Sequence, residues 1–316
     1  MKRLLPILML VFTINSLKAQ TTSAQKDTTS SADSLLNSLT SNGDAEPVIA
    51  TFKSTRLILT QTTETNKKKN LNFLVIHRFG DIAGADGGGK TLFGFDNSSD
   101  IYIGFEYGLT DNLDINFGRS KYEQLLDLGL KYNILHQTAD NKIPFALTLI
   151  ADAGLKPYSV TTNVFNDYTN RLSYFYQAIF ARKFSPRFSL EIAPAFLRNN
   201  LPFPYITGNE KNIFALSAAG RLKVTKHMGI VLDFAHPFSS FRQRSNSPKF
   251  YNPSGIGIEI ETGGHVFTMN FSNAQAISPI NYLSDTESNW AKGQFRFGFA
   301  ISRIFDMNHK HKGTYK

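Results

Sequence analysis

DIYIGFEYGLTDNLDINFGRS, residues 100 to 120, decides how the rest of the chain is read. Ile101, Ile103, Phe105 and Leu109 alternate with Tyr102, Gly104, Glu106 and Gly108, and after the break T-D-N the same period of two resumes in LDINFGRS. A period of two sends one set of side chains to each face of a strand, so the stretch reads as a hairpin with one apolar face and one polar or small face.

The same alternation recurs on both sides of this hairpin. It appears in LNFLVIHRF (71–79), LLDLGLKYNIL (125–135), FALTLIADAGL (145–155), LSYFYQAIFARKF (172–184) and FSLEIAPAFLR (188–198). It continues in NIFALSAAGRLKV (212–224), MGIVLDFAH (228–236), GIGIEIET (255–262), HVFTMNFS (265–272) and QFRFGFAISRIF (294–305). With 100–109 and 113–120 the count is twelve, an even number, and most stretches approach the roughly 9 to 11 residues of a tilted strand crossing a bilayer. The gaps after strands two, six, eight and ten are short (T-D-N, S-P-R, T-K-H, G-G), and H-Q-T-A-D-N-K-I-P after strand four is intermediate. The gaps at 80–99, 156–171, 199–211, 237–254 and 273–293 are long, and only the gap after strand three breaks the alternation. A soluble sandwich has no reason to sort its loops by parity, whereas outer-membrane barrels put short turns in the periplasm and long loops outside. The fold expected is an all-β, transmembrane, up-and-down antiparallel barrel of about twelve strands with a disordered N-terminal leader.

The chain has 316 residues, with 27 Phe, 12 Tyr, one Trp and no Cys, which excludes disulfides, Cys-ligated zinc, thiol catalysis and an N-terminal lipidated cysteine. A mean hydropathy of -0.21 excludes a bundle of membrane helices. MKRLLPILMLVFTINSLKA (1–19) has the basic start and short apolar run of a secretory signal peptide. Its removal takes Lys2, Arg3 and Lys18 and lowers the formal charge from +9 to +6. The Ser/Thr-rich stretch 20–47 lacks aromatic residues and reads as a disordered periplasmic leader. Residues 48–70 contain VIATFKSTRLIL, a strand-like stretch that would be an odd thirteenth if it crossed the membrane. It is therefore placed in the periplasm or in the periplasmic mouth as a plug, with Lys53 and Arg56 directed at Glu106, Asp114 and Glu191. The barrel is assigned to 71–305 and a basic tail to 306–316. Within the barrel, strand one is ambiguous in phase, because Phe73 and Val75 compete with Leu74 and Ile76. Strand twelve ends on Phe305 like the aromatic-ended assembly signal of such barrels, though Arg303 stands at a place usually apolar.

PVIATFKSTRLI (47–58), HRFG (77–80), LFGFDNSSDIYIGFEYGLTDNL (92–113) and GRSKYEQLLDLGLKY (118–132) together resemble a family of outer-membrane β-barrel proteins known as a domain of unknown function. That family is typical of Gram-negative bacteria of the Bacteroidetes kind. The resemblance spans about 47–305; it implies the barrel fold and an outer-membrane location, and it brings no substrate or catalytic residue with it.

GADGGGKT (84–91) fits the phosphate-loop pattern, but no helix follows to point its N-terminus at a phosphate, so it reads as a flexible glycine loop and no nucleotide is expected. The run Lys67 to Lys69 reads as a solvated connector, so no nucleic acid is expected either. No catalytic elbow, zinc-protease or calcium-loop pattern occurs, and the chain is read as a non-enzyme without cofactor or metal. On the phase set by strand two, Glu106, Asp114, Asp127, Asp152, Glu191, Asp233, Glu259 and Glu261 face the lumen against Lys131, Arg221, Lys223 and Arg296. Such charges either select permeating solutes or pair into a network that closes the lumen. The outer loops carry Phe165, Tyr168, Phe203, Tyr205, Phe241, Tyr251, Tyr282 and Trp290, which suits ligand capture or packing over the mouth. The expected function is a passive channel for small solutes. A structural or partner-binding barrel acting through its loops is the alternative, and a barrel enzyme the third. The expected partners are outer-membrane lipid, the barrel insertion machinery and a small solute.

Overall fold

The computed structural model describes residues 47, 48, 50–157 and 167–308. The signal peptide, the leader up to residue 46, Phe165 and the tail from residue 309 lie outside the described residues. Twelve strands run up and down in chain order. They are β1 (Asn70–Asp81), β2 (Ser98–Gly108), β3 (Leu113–Ser120), β4 (Leu126–Leu135), β5 (Ala146–Leu155) and β6 (Leu172–Ser185), then β7 (Phe188–Asn199), β8 (Asn212–Lys223), β9 (Met228–Phe238), β10 (Ser254–Thr262), β11 (His265–Ser272) and β12 (Arg296–Asp306). Each pairs with its neighbour, and β12 returns to pair antiparallel with β1, so the sheet closes. The seam sets Leu71 opposite Phe305 and His77 opposite Phe299. Closure follows from the solvent, since a sheet edge in hydrocarbon would leave a row of backbone donors and acceptors without partners.

Side chains sort by the period of two. On β2, Ile103 is 42% exposed while its neighbour Tyr102 is 3% exposed, and Phe105 and Glu106 repeat the contrast. Arg303 also faces outward, near the end where β1 starts and β12 stops, with its guanidinium 4.7 Å from the centroid of the Phe305 ring. A long cationic stem can lie along apolar surface there and put its head at the interface, which accommodates a charge at a usually apolar place. The short turns share this end of the barrel. Between β10 and β11 two residues suffice, because Gly263 and Gly264 both take positive φ (46° and 94°), the twist that a two-residue hairpin turn needs.

Both faces of β1 are apolar for a physical reason. Leu74 and Ile76 turn into the barrel, where Ile76 packs with Tyr102 and with Ile277 of the β11–β12 loop. Two segments fill the interior. From the short-turn end, residues 50–66 enter as a hairpin, in which Leu57 donates to the Thr60 carbonyl (2.9 Å) and Thr62 to the Thr55 carbonyl (2.9 Å). This plug pairs within itself, Arg56 opposite Gln61, and adds no thirteenth strand to the wall. From the opposite end, the β11–β12 loop folds inward through the short helix Pro279–Tyr282 and buries Ala274, Ala276, Ile277, Ile280, Tyr282 and Leu283. Phe52, Leu57, Ile58 and Leu59 of the plug share one hydrophobic core with Ile280, Tyr282 and Leu283 of the loop and with Phe175, Ile179, Leu197, Ile213 and Val231 of the wall. Full burial of each such large apolar side chain is worth about 1.5–3 kcal/mol.

Placing the short turns, the start of β1 and the end of β12 in the periplasm, as the loop lengths lead one to expect, puts the β9–β10 loop outside. An epitope inserted beside Asn246 is expected to be labelled on intact cells, and epitopes beside Asp111 or Gly263 only after the outer membrane is opened. The reverse labelling pattern would invert the orientation.

Candidate functional site

The plug is held by wall carboxylates that accept its backbone and hydroxyl groups. Asp233 Oδ2 on β9 accepts the amides of Leu59 (2.7 Å) and Thr60 (2.8 Å) and the Thr60 hydroxyl (3.1 Å), which also lies 3.1 Å from Glu191 Oε1 on β7. Lower down, Asp114 accepts the Asn66 amide (3.0 Å) and side chain (2.9 Å). Wall donors take the plug's carbonyls: Lys131 reaches Thr55 (3.1 Å), Asn133 and Thr148 reach Thr63 (3.1 and 3.2 Å), and Ser189 reaches Thr51 (2.6 Å).

The loop from the other side is tied the same way. Asp100, fully buried near the top of β2, accepts the Ile277 amide (2.8 Å), the Tyr122 amide (2.9 Å) and the Ser120 hydroxyl. Arg242 donates to the carbonyls of Leu283 (2.8 Å) and Ser284 (2.6 Å). Arg78 joins the two inserts, since Nη1 donates to the carbonyls of Ala274 (3.2 Å) and Ala276 (2.6 Å) and Nη2 to that of Ile58 at the plug tip (3.3 Å).

Of the charged residues assigned to the lumen from the sequence, Glu106, Asp114, Asp127, Lys131, Asp152, Glu191, Arg221, Asp233, Glu259 and Arg296 are buried inside the barrel. Lys223 and Glu261 stand half-buried at the rim beside the short turns. Arg221 pairs with Glu259 (2.5 Å) and Arg296 with Asp81 (2.8 Å). The partners expected for the plug's cations need correcting. Lys53 reaches Glu261 at 3.1 Å, while Asp114 and Glu191 are occupied by Asn66 and Thr60. Arg56 lies over the Tyr102 ring, 5.2 Å from its centroid. Lys53 sits at the rim because it precedes the hairpin tip by several residues, and the acids deeper in are met by backbone amides instead.

Several outer-loop aromatics are engaged in packing. The Lys156 ammonium lies 4.5 Å from the Phe203 ring and 5.5 Å from that of Tyr205, and 3.5 Å from Glu123. Tyr282 belongs to the lumenal core and not to the outer surface. In the glycine loop, Lys90 donates to the Ala85 carbonyl, and the 3-10 turn Gly89–Gly94 is broken by Leu92 and Phe93 at positive φ, so no helix N-terminus forms. Arg78, Asp100 and Arg242, which the sequence did not mark, carry much of the anchoring. Arg78 had a signal, as an inward charge on the strand with two apolar faces.

Near the mouth opposite the short turns, Tyr122 donates its hydroxyl to Asp285, whose charge is felt by Glu287. Burial and the neighbouring Asp285 carboxylate push Glu287 up to about 7, and burial also raises Asp285. Burial lowers Arg242 to about 10, and the charges of Asp285 and Glu287 oppose that shift.

A closed sheet with an apolar exterior and a polar, charged interior is a membrane-spanning barrel. The chain belongs to the family of membrane-bound β-barrel domains designated DUF5777, whose model matches residues 52–305. No curated protein matches it. Among solved structures it is similar to the NanC porin (7% identity, covering 74% of this chain and 98% of that one, TM-score 0.46). It is also similar to an outer-membrane channel from Pseudomonas putida F1 (12% identity, 77% and 98%, TM-score 0.46) and to the KdgM porin (6%, 75% and 99%, TM-score 0.44).

Two outcomes are expected from this geometry. Asp233→Ala removes the acceptor of three plug donors, each worth about 1.5–3 kcal/mol when the acceptor is charged, although the freed amides recover part of this by binding water. Hydrogen exchange at residues 57–61 should rise strongly in Asp233→Ala and less in Asp233→Asn, which keeps one acceptor oxygen; unchanged protection in both would show that the tip is held by packing alone. The second outcome concerns pH. A carboxyl whose folded pKa is raised stabilises the fold in its protonated form, fully below its unfolded value and progressively less as pH rises through the folded one. With Glu287 at about 7, the loop 274–288 should exchange faster at about pH 8 than at about pH 6 once intrinsic rates are corrected, and Glu287→Gln should remove the difference.

Proposed function

We propose that this protein is a passive channel for small solutes whose lumen is closed at rest by the N-terminal plug and the inward loop. The observation that carries the reading is the kind of contact holding the plug: a separate hairpin, joined to β1 through 67–69, bonded to the wall through amides, hydroxyls and carbonyls that water can also satisfy. A barrel sealed as a permanent strut needs no such detachable interior. A cavity of about 520 Å³, lined among others by Glu64, Asn133, His136 and Gln137, lies between the plug stem and the β2–β3 and β4–β5 turns at the short-turn end of the barrel.

Replacing residues 50–63 by a flexible Gly/Ser linker is expected to leave a folded, heat-modifiable barrel. Its conductance in planar bilayers should be several-fold above that of the parent chain, with a shift toward cations, because wall acids outnumber wall bases in the lumen. A folded variant with unchanged conductance would reject the plug as the stopper.

A further inference from the structure

The wall from β2 to β5 carries inward acids over a floor of glycine. Register sets Gly118 opposite Asp127 and Gly129 opposite Asp152. A Cβ on Gly118 would stand 2.0 Å from the Tyr102 hydroxyl and 2.4 Å from Asp127 Oδ1, and one on Gly129 would stand 1.6 Å from Asp152 Oδ1. The missing side chains therefore let Tyr102, Asp127 and Asp152 lie flat along the wall. Neutral groups hold these acids in place. Tyr102 donates to Asp127 (2.9 Å), Asn116 to Asp152 (3.2 Å) and Asn72 to Glu106 (3.0 Å). A wall cation on β4, Lys131, donates its ammonium to the Thr55 carbonyl of the plug and also feels the charge of Glu106.

Into this place the plug puts Arg56. The side chain is 5% exposed, its guanidinium lies 5.2 Å from the Tyr102 ring centroid, and Glu106 and Asp127 are the carboxylates whose charge it feels most. It is in none of the ion pairs within 4.0 Å among the described residues, and its Nε and Nη1 are buried with no hydrogen-bond partner. An arginine whose task was to anchor the plug would be clamped to a carboxylate, as Arg221 is to Glu259 and Arg296 to Asp81. Arg56 is instead a planar cation seated on a ring beside acids that neutral donors already hold.

We infer that Tyr102, Glu106, Asp127 and Asp152 form a binding site for the guanidinium group of a small organic cation, and that Arg56 is its tethered resident occupant. The inference rests on the channel reading, since a solute reaches this site when the plug withdraws. An aromatic face beside fixed carboxylates suits a delocalised, weakly hydrated cation better than a compact metal ion. Among the described residues no group of three or more His, Cys, Asp or Glu side chains is arranged to hold a metal.

The test uses the full chain carrying Arg56→Ala, with the heat-modification midpoint measured in millimolar guanidinium chloride, in urea as its neutral isostere, and in sodium chloride. Guanidinium alone is expected to return the midpoint toward that of the parent chain, and adding Asp127→Asn should weaken its apparent affinity roughly tenfold. Absence of a guanidinium response, or an equal response to urea or sodium, overturns the site. If Arg56→Ala does not fold, Arg56→Gln keeps most of the side-chain bulk and is measured in the same three solutes. Bilayer current through the linker variant judges the channel separately. Current without a guanidinium response removes this site and leaves the channel standing, and a guanidinium response without current upholds the site as a binding site in a barrel that does not conduct.

Discussion

Everything in this molecule depends on β12 meeting β1. In hydrocarbon a backbone amide without a partner costs several kcal/mol, so the sheet has to return on itself, and once it does the period of two divides every strand between lipid and lumen. The outward half of that division is made of Ile, Leu, Phe and Tyr, as bilayer contact requires. The inward half receives the polar and charged residues, and these must find partners inside. Twelve strands enclose more space than their own side chains fill, and the two inserts are the answer to that geometry.

The inserts are anchored by a division of labour. Asp233, Asp114 and Asp100 accept amides, while Arg78, Arg242 and Lys131 donate to carbonyls. Burying an ion is costly unless hydrogen bonds replace its hydration, and backbone groups do so without placing a second charge in the interior. Such anchoring depends on the path of the insert's main chain more than on its side-chain identities. It leaves Arg56 as a charge that the anchoring does not consume.

The barrel was legible because periodicity and loop parity are local properties of the chain, and 100–120 contains both. The inward acids followed from the same phase. What fills the lumen was harder to read, since contacts between Arg78, Ile58 and Ala276 join residues far apart in sequence, and no local pattern announces them. Traces were nevertheless present. Strand one was apolar on both faces, and Phe175 and Ile179 fall on the inward face of β6. Apolar residues facing a lumen mean that something dry packs there. The inward path of 274–283 left a weaker mark, an apolar stretch within a long loop. Lys53 meets a wall acid, Glu261, and Arg56 lies over the Tyr102 ring, but these partners depended on where the hairpin tip turns, which composition does not reveal.

The plug is bound to the barrel it closes. Only residues 67–69 separate the hairpin from β1, and three residues fully extended span about 10 Å. A hairpin drawn out of the lumen therefore stays within a small volume around the mouth, at an effective concentration on the millimolar scale that a short flexible tether imposes. Its return is unimolecular and independent of how much protein the membrane holds. On the channel reading proposed above, each barrel would close on its own clock, with the contacts at the tip setting how often it opens and whatever occupies the vacated space setting how long it stays open.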